Sequence, residues 1–264
     1  MSASDLFDLT GQVAVVTGGN AGIGLGYATG LAKCGSDVWI FGRRQEQNDE
    51  AVKKLGEYGT TVRALSVDVS QEDQVISAMA EVVTTSGRID TVVSNAGFMR
   101  AKPLHEMTSE QYEKMLAVNQ HGGFYTIREA VRHMKARADA GDPGGSIIIT
   151  GSLSTVIGAV GTAHYGAAKA ALSAIMASVA VGYGHDGIRC NMVTPGLIYS
   201  DAFGGISEDD LPFTAVTRER QPVPRLGYPS DFEAIAAYLA SPASAFHTGG
   251  IIVIDGGFSR VGLA

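Results

Sequence analysis

Short apolar runs recur along the chain, each followed by a longer segment whose apolar positions return every three or four residues. The runs fall at 13–17, 38–41, 62–67, 91–94, 146–150, 189–193 and 251–254. Most are rich in Val and Ile and are bounded by Gly, Asn, Asp or Ser, as strands buried on both faces are. The intervening segments 23–34, 46–57, 71–86, 109–138, 162–184 and 230–240 read as helices. This alternation predicts an α/β chain with helices on both faces of a parallel sheet. Right-handed crossovers make such a sheet doubly wound, in the Rossmann manner, and mostly seven-stranded. The whole chain, 1–264, reads as one such domain, without linker, repeat or low-complexity block. Gly141-Asp142-Pro143-Gly144-Gly145 is a turn cluster before a strand. The stretch 195–228, with four prolines and no periodic pattern, is expected to be irregular, and loops this long usually have a function.

Composition narrows the function classes. The net charge of −7 and the absence of a basic run argue against nucleic acid. No uninterrupted apolar stretch of about 20 residues suggests a membrane span. The N-terminal residues lack the basic and apolar regions of a signal peptide. Two cysteines, Cys34 and Cys190, give neither a disulfide framework nor a metal cluster. The six histidines are scattered without ligand spacing, so no catalytic metal is expected. A reduced, cytoplasmic protein is the reading.

The first strand runs into Thr17-Gly18-Gly19-Asn20-Ala21-Gly22-Ile23-Gly24 and then a helix. Glycines let a backbone turn sharply and approach a pyrophosphate, while the helix N-terminus offers free N–H groups and a favourable dipole. The competing reading is a tight βα turn, but strand, turn and helix in succession are the context that a dinucleotide fingerprint requires. In sites selective for NAD an acidic residue about 20 positions further on binds the ribose hydroxyls. Here that region reads Ile40-Phe41-Gly42-Arg43-Arg44, with no carboxylate and two cations, and Asp37 precedes the strand. Arginine pairs bidentately with phosphate, so NADP(H) is favoured over NAD(H), with Arg43 the principal contact.

Tyr165 and Lys169 lie four residues apart, on one face of the predicted helix. A phenol is a poor acid or base at neutral pH, and a nearby ammonium favours its ionised form. The pair is a candidate proton-transfer device; the competing reading is an ordinary exposed helical pair.

In this order the segments closely resemble the short-chain dehydrogenase/reductase family, in its compact branch, over nearly the whole chain. The family's cofactor turn matches Gly18, Gly22 and Gly24, flanked by Asn20 and Ile23. Its adenine-contacting acid matches Asp68, beside Val69; its Asn-Ala-Gly motif matches Asn95, Ala96 and Gly97; its helix asparagine matches Asn119. Its catalytic serine matches Ser152, with Ser154 as rival, and its Tyr-x-x-x-Lys matches Tyr165 and Lys169. Its Pro-Gly matches Pro195 and Gly196, and its terminal Asp-Gly-Gly matches Asp255-Gly256-Gly257. Two positions depart: Ser94 replaces a frequent Asn, and Ala21 stands where many NADP-binding relatives carry a basic residue.

The resemblance implies hydride transfer between a nicotinamide and the carbon of a secondary alcohol or ketone, of 3-oxoacyl reductase or general alcohol dehydrogenase type. It implies that Tyr165 is the general acid/base and that Ser152 stabilises the substrate oxygen. Lys169 would hold the nicotinamide ribose and lower the phenol pKa, and Asn119 would position a water. His164, although next to Tyr165, reads as structural. Met99, Ser154 and Phe203 are the candidate substrate contacts, beneath a lid at 197–226. Within the lid, Glu208-Asp209-Asp210 has no basic cluster nearby, which disfavours a strongly anionic substrate. Relatives imply a homotetramer or homodimer. Two other classes stand as alternatives: a catalytically silent nucleotide sensor, and an epimerase or dehydratase without net redox change.

Overall fold

The strand Val13–Thr17 (β1) is buried at every residue, and its side chains alternate between two cores. Val13 and Val15 face one core; Ala14 and Val16 face the other. The same division runs along its neighbour, Asp37–Gly42 (β2), with Trp39 and Phe41 on one side and Val38 and Ile40 on the other. We describe residues 5–200 and 204–261 of a computed structural model. Phe203, an expected substrate contact, lies outside the described residues.

Five further strands complete the sheet: Val62–Ser66 (β3), Thr91–Ser94 (β4), Gly145–Thr150 (β5), Ile188–Pro195 (β6) and Ile251–Ile254 (β7). Their order is β3-β2-β1-β4-β5-β6-β7, and every pairing is parallel. Helices Gly22–Lys33 (α1), Gln45–Gly56 (α2) and, later, Glu233–Ala240 (α8) cover one face, with Tyr27, Leu31, Leu55, Ala236 and Leu239 fully buried. Helices Glu72–Ser86 (α3), Gly122–Asp139 (α5) and Ala163–Tyr183 (α6) cover the other through Val75, Met79, Ile127, Met134, Leu172 and Met176. Burying each large apolar side chain contributes about 1.5–3 kcal/mol, so both faces are needed to hold the sheet. The predicted doubly wound, seven-stranded parallel sheet is the fold observed.

Two sequence expectations need correction. The segment 109–138 is not one helix. Ser109–Leu116 (α4) and α5 are separated by a π turn, Ala117–His121. The stretch 195–228 is not wholly irregular, because Thr214–Arg220 forms a helix (α7) behind the prolines. The region 163–186 is long and apolar enough by composition to cross a bilayer. In the fold it packs on β6 and α5, with His164, Ala168, Leu172 and Met176 on its buried side.

Candidate active site

At the carboxyl edge of the sheet the connections leaving β1 and β4 run in opposite directions, because the chain winds outward from this central pair. Ligands bind at such a switch point in open α/β sheets. The glycine turn occupies this edge. Gly22 has φ 51°, a conformation that side chains rarely adopt. A Cβ on Gly24 would lie 2.1 Å from the Gly18 carbonyl oxygen, so the first turn of α1 rests directly on the loop before it. Ala21 caps α1 without a side-chain hydrogen bond. The first-turn N–H groups are therefore not spent on a cap, and the helix dipole reinforces them toward an anion.

A bonded frame stiffens this edge. The Thr17 hydroxyl accepts the N–H groups of Asn95 (2.9 Å) and Ala96 (3.0 Å) and donates to the Val93 carbonyl (3.2 Å). The Asn95 amide donates to the Thr17 carbonyl (3.0 Å) and accepts from the Thr150 hydroxyl (3.1 Å). Asn95 thus ties β1, β4 and β5 together, so its side chain is engaged by the protein. The sequence places Thr17 at the head of the glycine turn but does not single out Thr150. The available signal was a threonine ending each of two apolar strands at the same edge.

β5 delivers Ser152, which caps the short 3₁₀ turn Leu153–Thr155. The Ser154 backbone N–H (3.1 Å) and hydroxyl (2.8 Å) both donate to Ser152 Oγ. The first turns of α6 bring Tyr165 and Lys169 to the same place. Lys169 is buried, and its Nζ donates to the Thr150 carbonyl (2.9 Å) and lies 5.8 Å from the centre of the Tyr165 ring. Burial lowers the Lys169 pKa to about 8.

The expectation that Lys169 pulls the phenol toward ionisation is not what the structure gives. Burial raises the Tyr165 pKa, and the hydrogen bond from Ser152 only partly opposes that rise. In this state Tyr165 is a proton donor at neutral pH.

Asn119 sits in the π turn, where an extra residue per turn widens the helix. Its Nδ2 donates to the carbonyls of Phe98 (3.0 Å) and Met115 (3.2 Å), while its buried Oδ1 has no hydrogen-bond partner among the described residues. A point placed as a Cβ on Gly97 lies 2.4 Å from that Oδ1 and 3.6 Å from Lys169 Nζ. The orphaned oxygen and the ammonium therefore face one small space. Ser152, Tyr165, Lys169 and Asn119 converge as expected.

The outer sites are more dispersed. The Asp68 carboxylate accepts from the Ser70 N–H (3.0 Å) and hydroxyl (2.7 Å), and Arg43 lies 3.8 Å from it with its side chain 64% exposed. Val69 is buried. Pro195 ends β6, and the Gly196 N–H donates to Ile254 (2.9 Å). Met99 and Val156 are exposed apolar residues.

The acidic turn of the expected lid is not uncompensated. Arg218 of α7 pairs with Glu208 (2.9 Å) and Asp209 (2.6 Å). The sequence argument against anionic substrates loses that premise. Among the described residues no three His, Cys, Asp or Glu side chains are grouped to hold a metal, and both cysteines are free thiols.

The unspent N–H groups of α1, the exposed Arg43 and the orphaned Asn119 oxygen beside Lys169 fit a nicotinamide dinucleotide laid from β2 across the switch point to Tyr165. Comparison with known proteins agrees with this geometry. A family model described as enoyl-(acyl carrier protein) reductase matches residues 17–259. The oxidoreductase asL5 of Sarocladium schorii is 37% identical over 96% of this chain and 98% of its own. A short-chain type dehydrogenase/reductase from Mycobacterium marinum superposes with a TM-score of 0.89, at 32% identity, over 98% of this chain and 99% of that one. A gluconate 5-dehydrogenase from Burkholderia cenocepacia, solved in complex with NADP and tartrate, superposes with a TM-score of 0.89 at 30% identity, covering 98% and 99%. With its sheet order, glycine turn and Ser152–Tyr165–Lys169 cluster, this chain belongs to the short-chain dehydrogenase/reductase family.

Proposed function

We propose that this oxidoreductase, which interconverts a secondary alcohol and a ketone with a nicotinamide dinucleotide, works through Tyr165, Ser152, Lys169 and Asn119 and prefers NADP(H). The convergence of these four side chains beside the glycine turn carries the reading. The dinucleotide, when bound, supplies or accepts the hydride.

In the reductive direction the Tyr165 phenol gives its proton to the carbonyl oxygen. Its raised pKa keeps it protonated and ready to do so. Ser152 donates a hydrogen bond to the same oxygen and stabilises the negative charge that develops there. Lys169 Nζ, which donates to the Thr150 carbonyl, would hold the nicotinamide ribose. The buried Asn119 Oδ1 holds a water that returns a proton through Lys169 to Tyr165. In oxidation the same groups act in reverse.

We assign the remaining cofactor contacts to Gly18, Asn20, Gly22, Ile23, Gly24, Asp68, Val69, Ala96, Gly97, Pro195 and Gly196, with Asn95 bracing this edge. Arg43 favours the 2′-phosphate: it is exposed, near the end of β2, and only loosely paired. Relatives reduce versicolorin or oxidise gluconate and hydroxysteroids by name. Substrate choice accordingly lies with the segment 197–226, which we read as a lid over Met99 and Ser154, with Gly204 and Gly205 at positive φ as hinges.

A homotetramer or homodimer is supported by exposed apolar residues on β7, Ile251 and Val253, and on the outer side of α6, Val181; sedimentation tests it. A cytoplasmic setting is supported by the free thiols. The deciding experiment is a side-by-side NADPH and NADH assay over a panel of ketones and alcohols. Net change in nicotinamide absorbance with the NADP couple is the expected result. Binding without turnover would mean a sensor, and isomerisation without net change an epimerase. A strong NADH preference would overturn the reading of Arg43.

A further inference from the structure

We infer that Asn48, through Asn20, is the positioning residue that shapes the adenosine end of the dinucleotide cleft and bars a carboxylate from the end of β2. The inference rests on the dinucleotide reading above. Helix α2 buries one stripe: Asn48, Ala51 and Leu55. An amide on an apolar stripe costs stability unless its hydrogen bonds are made. Asn48 is fully buried and makes them. Its Nδ2 donates to the Gly42 carbonyl (2.9 Å) and, at longer range, to the Leu65 carbonyl (3.5 Å). Its Oδ1 accepts from Asn20 Nδ2 (2.7 Å). One side chain therefore fastens the ends of β2 and β3 to the middle of the glycine turn.

The consequence falls at Gly42. A Cβ built there would lie 2.3 Å from Asn20 Nδ2 and 2.5 Å from Asn48 Oδ1. The two amides fill the volume into which a side chain at position 42 would project. Position 42 lies about 20 residues beyond the glycine turn, where an acidic residue reads the ribose hydroxyls in sites selective for NAD. The Asn20–Asn48 pair thus excludes that solution by packing and leaves the reading of the ribose to the neighbouring Arg43. It also fixes the Asn20 side chain, so the turn is set before a ligand arrives.

The test uses the full chain, with dissociation constants for NADPH and NADH from fluorescence titration and a melting curve for each variant. Asn48→Leu and Asn20→Ala are each expected to weaken NADPH binding about tenfold, and the double variant no more than the worse single one, because both lose the same bond. Gly42→Ala, which leaves Asn48 in place, is expected to weaken NADPH to a similar extent by prising the amides apart; it serves if Asn48→Leu does not fold. NADPH affinity equal to wild type in Gly42→Ala or in a folded Asn48→Leu would overturn the inference, as would additive losses in the double variant. Wild-type protein that binds neither dinucleotide would overturn the underlying reading and this inference with it. Wild-type binding with unaffected variants would sink this inference alone.

Discussion

Ser154 gives Ser152 Oγ two hydrogen bonds, one from its hydroxyl at 2.8 Å and one from its backbone N–H at 3.1 Å. A hydroxyl has two lone pairs and one proton. With both lone pairs occupied, the only hydrogen-bonding capacity left to Ser152 is donation, which is the role an anion-stabilising group must play. Ser154→Ala removes one of the two bonds, worth about 1 kcal/mol. It is expected to lower kcat roughly fivefold with KM nearly unchanged. Ser152→Ala should cost about 10²–10³ in kcat. If Ser154 only touches substrate, steady-state kinetics will show the loss in KM instead.

Burial holds the Tyr165 phenol above its ordinary pKa. Reduction needs the protonated phenol and oxidation the phenolate. The reductive rate should therefore be flat through neutral pH and fall only in the alkaline range, while the oxidative rate climbs with pH. Tyr165→Phe should cost about 10²–10⁴ in both directions and abolish the climb. Parallel pH–rate profiles of wild type and variant, with dinucleotide binding checked separately, test this.

Lys169 titrates at about 8 in the folded chain because burial disfavours its charge. The unfolded chain keeps an ordinary lysine. Below pH 8 both states are charged and the fold carries the whole penalty; as pH rises from 8 toward 10 the unfolded state binds more protons and the penalty is relieved. Lys169→Met should therefore be more stable than wild type at pH 7, by about 2 kcal/mol once the lost bond to Thr150 is subtracted. The gap should close by pH 10. Urea unfolding at the two pH values measures it.

Arg43→Ala should raise the NADPH dissociation constant roughly 10- to 100-fold, the worth of a charge-assisted hydrogen bond to phosphate, and leave NADH unchanged. Its present partner, Asp68, is too distant at 3.8 Å for the pair to be worth much at an exposed position. Equal losses for both cofactors would mean a general effect on the cleft rather than recognition of the 2′-phosphate.

The sheet and the glycine turn were legible because each strand is a short Val/Ile run with a turn residue behind it, and position in a parallel sheet follows from crossover handedness. Tyr165 and Lys169 were legible because helical spacing puts them on one face and the motifs around them, in order, resemble those of the family. Other features left little trace. Nothing in Ala117-Val118-Asn119-Gln120-His121 distinguishes a π turn from continuous helix, since the cause is the bonding of Asn119 to Phe98 and Met115. Helix α7 is hidden between prolines that flank it without entering it. Asn48 is visible only once Ala51 and Leu55 are known to face inward.

The π turn at Asn119 carries one residue more than a regular turn would, so chain length and chemistry are locked together there. Deleting a single residue between Leu116 and Gly122 would let an unbroken α ladder form from Ser109 to Asp139. That ladder would be locally better bonded, and because the π turn absorbs its extra residue by widening, the helix beyond it would keep nearly its present phase relative to α4. The packing of Ile127 and Met134 would survive, but the widened turn that aims Asn119 at Phe98 would be gone. At this point a more regular helix would make a worse enzyme.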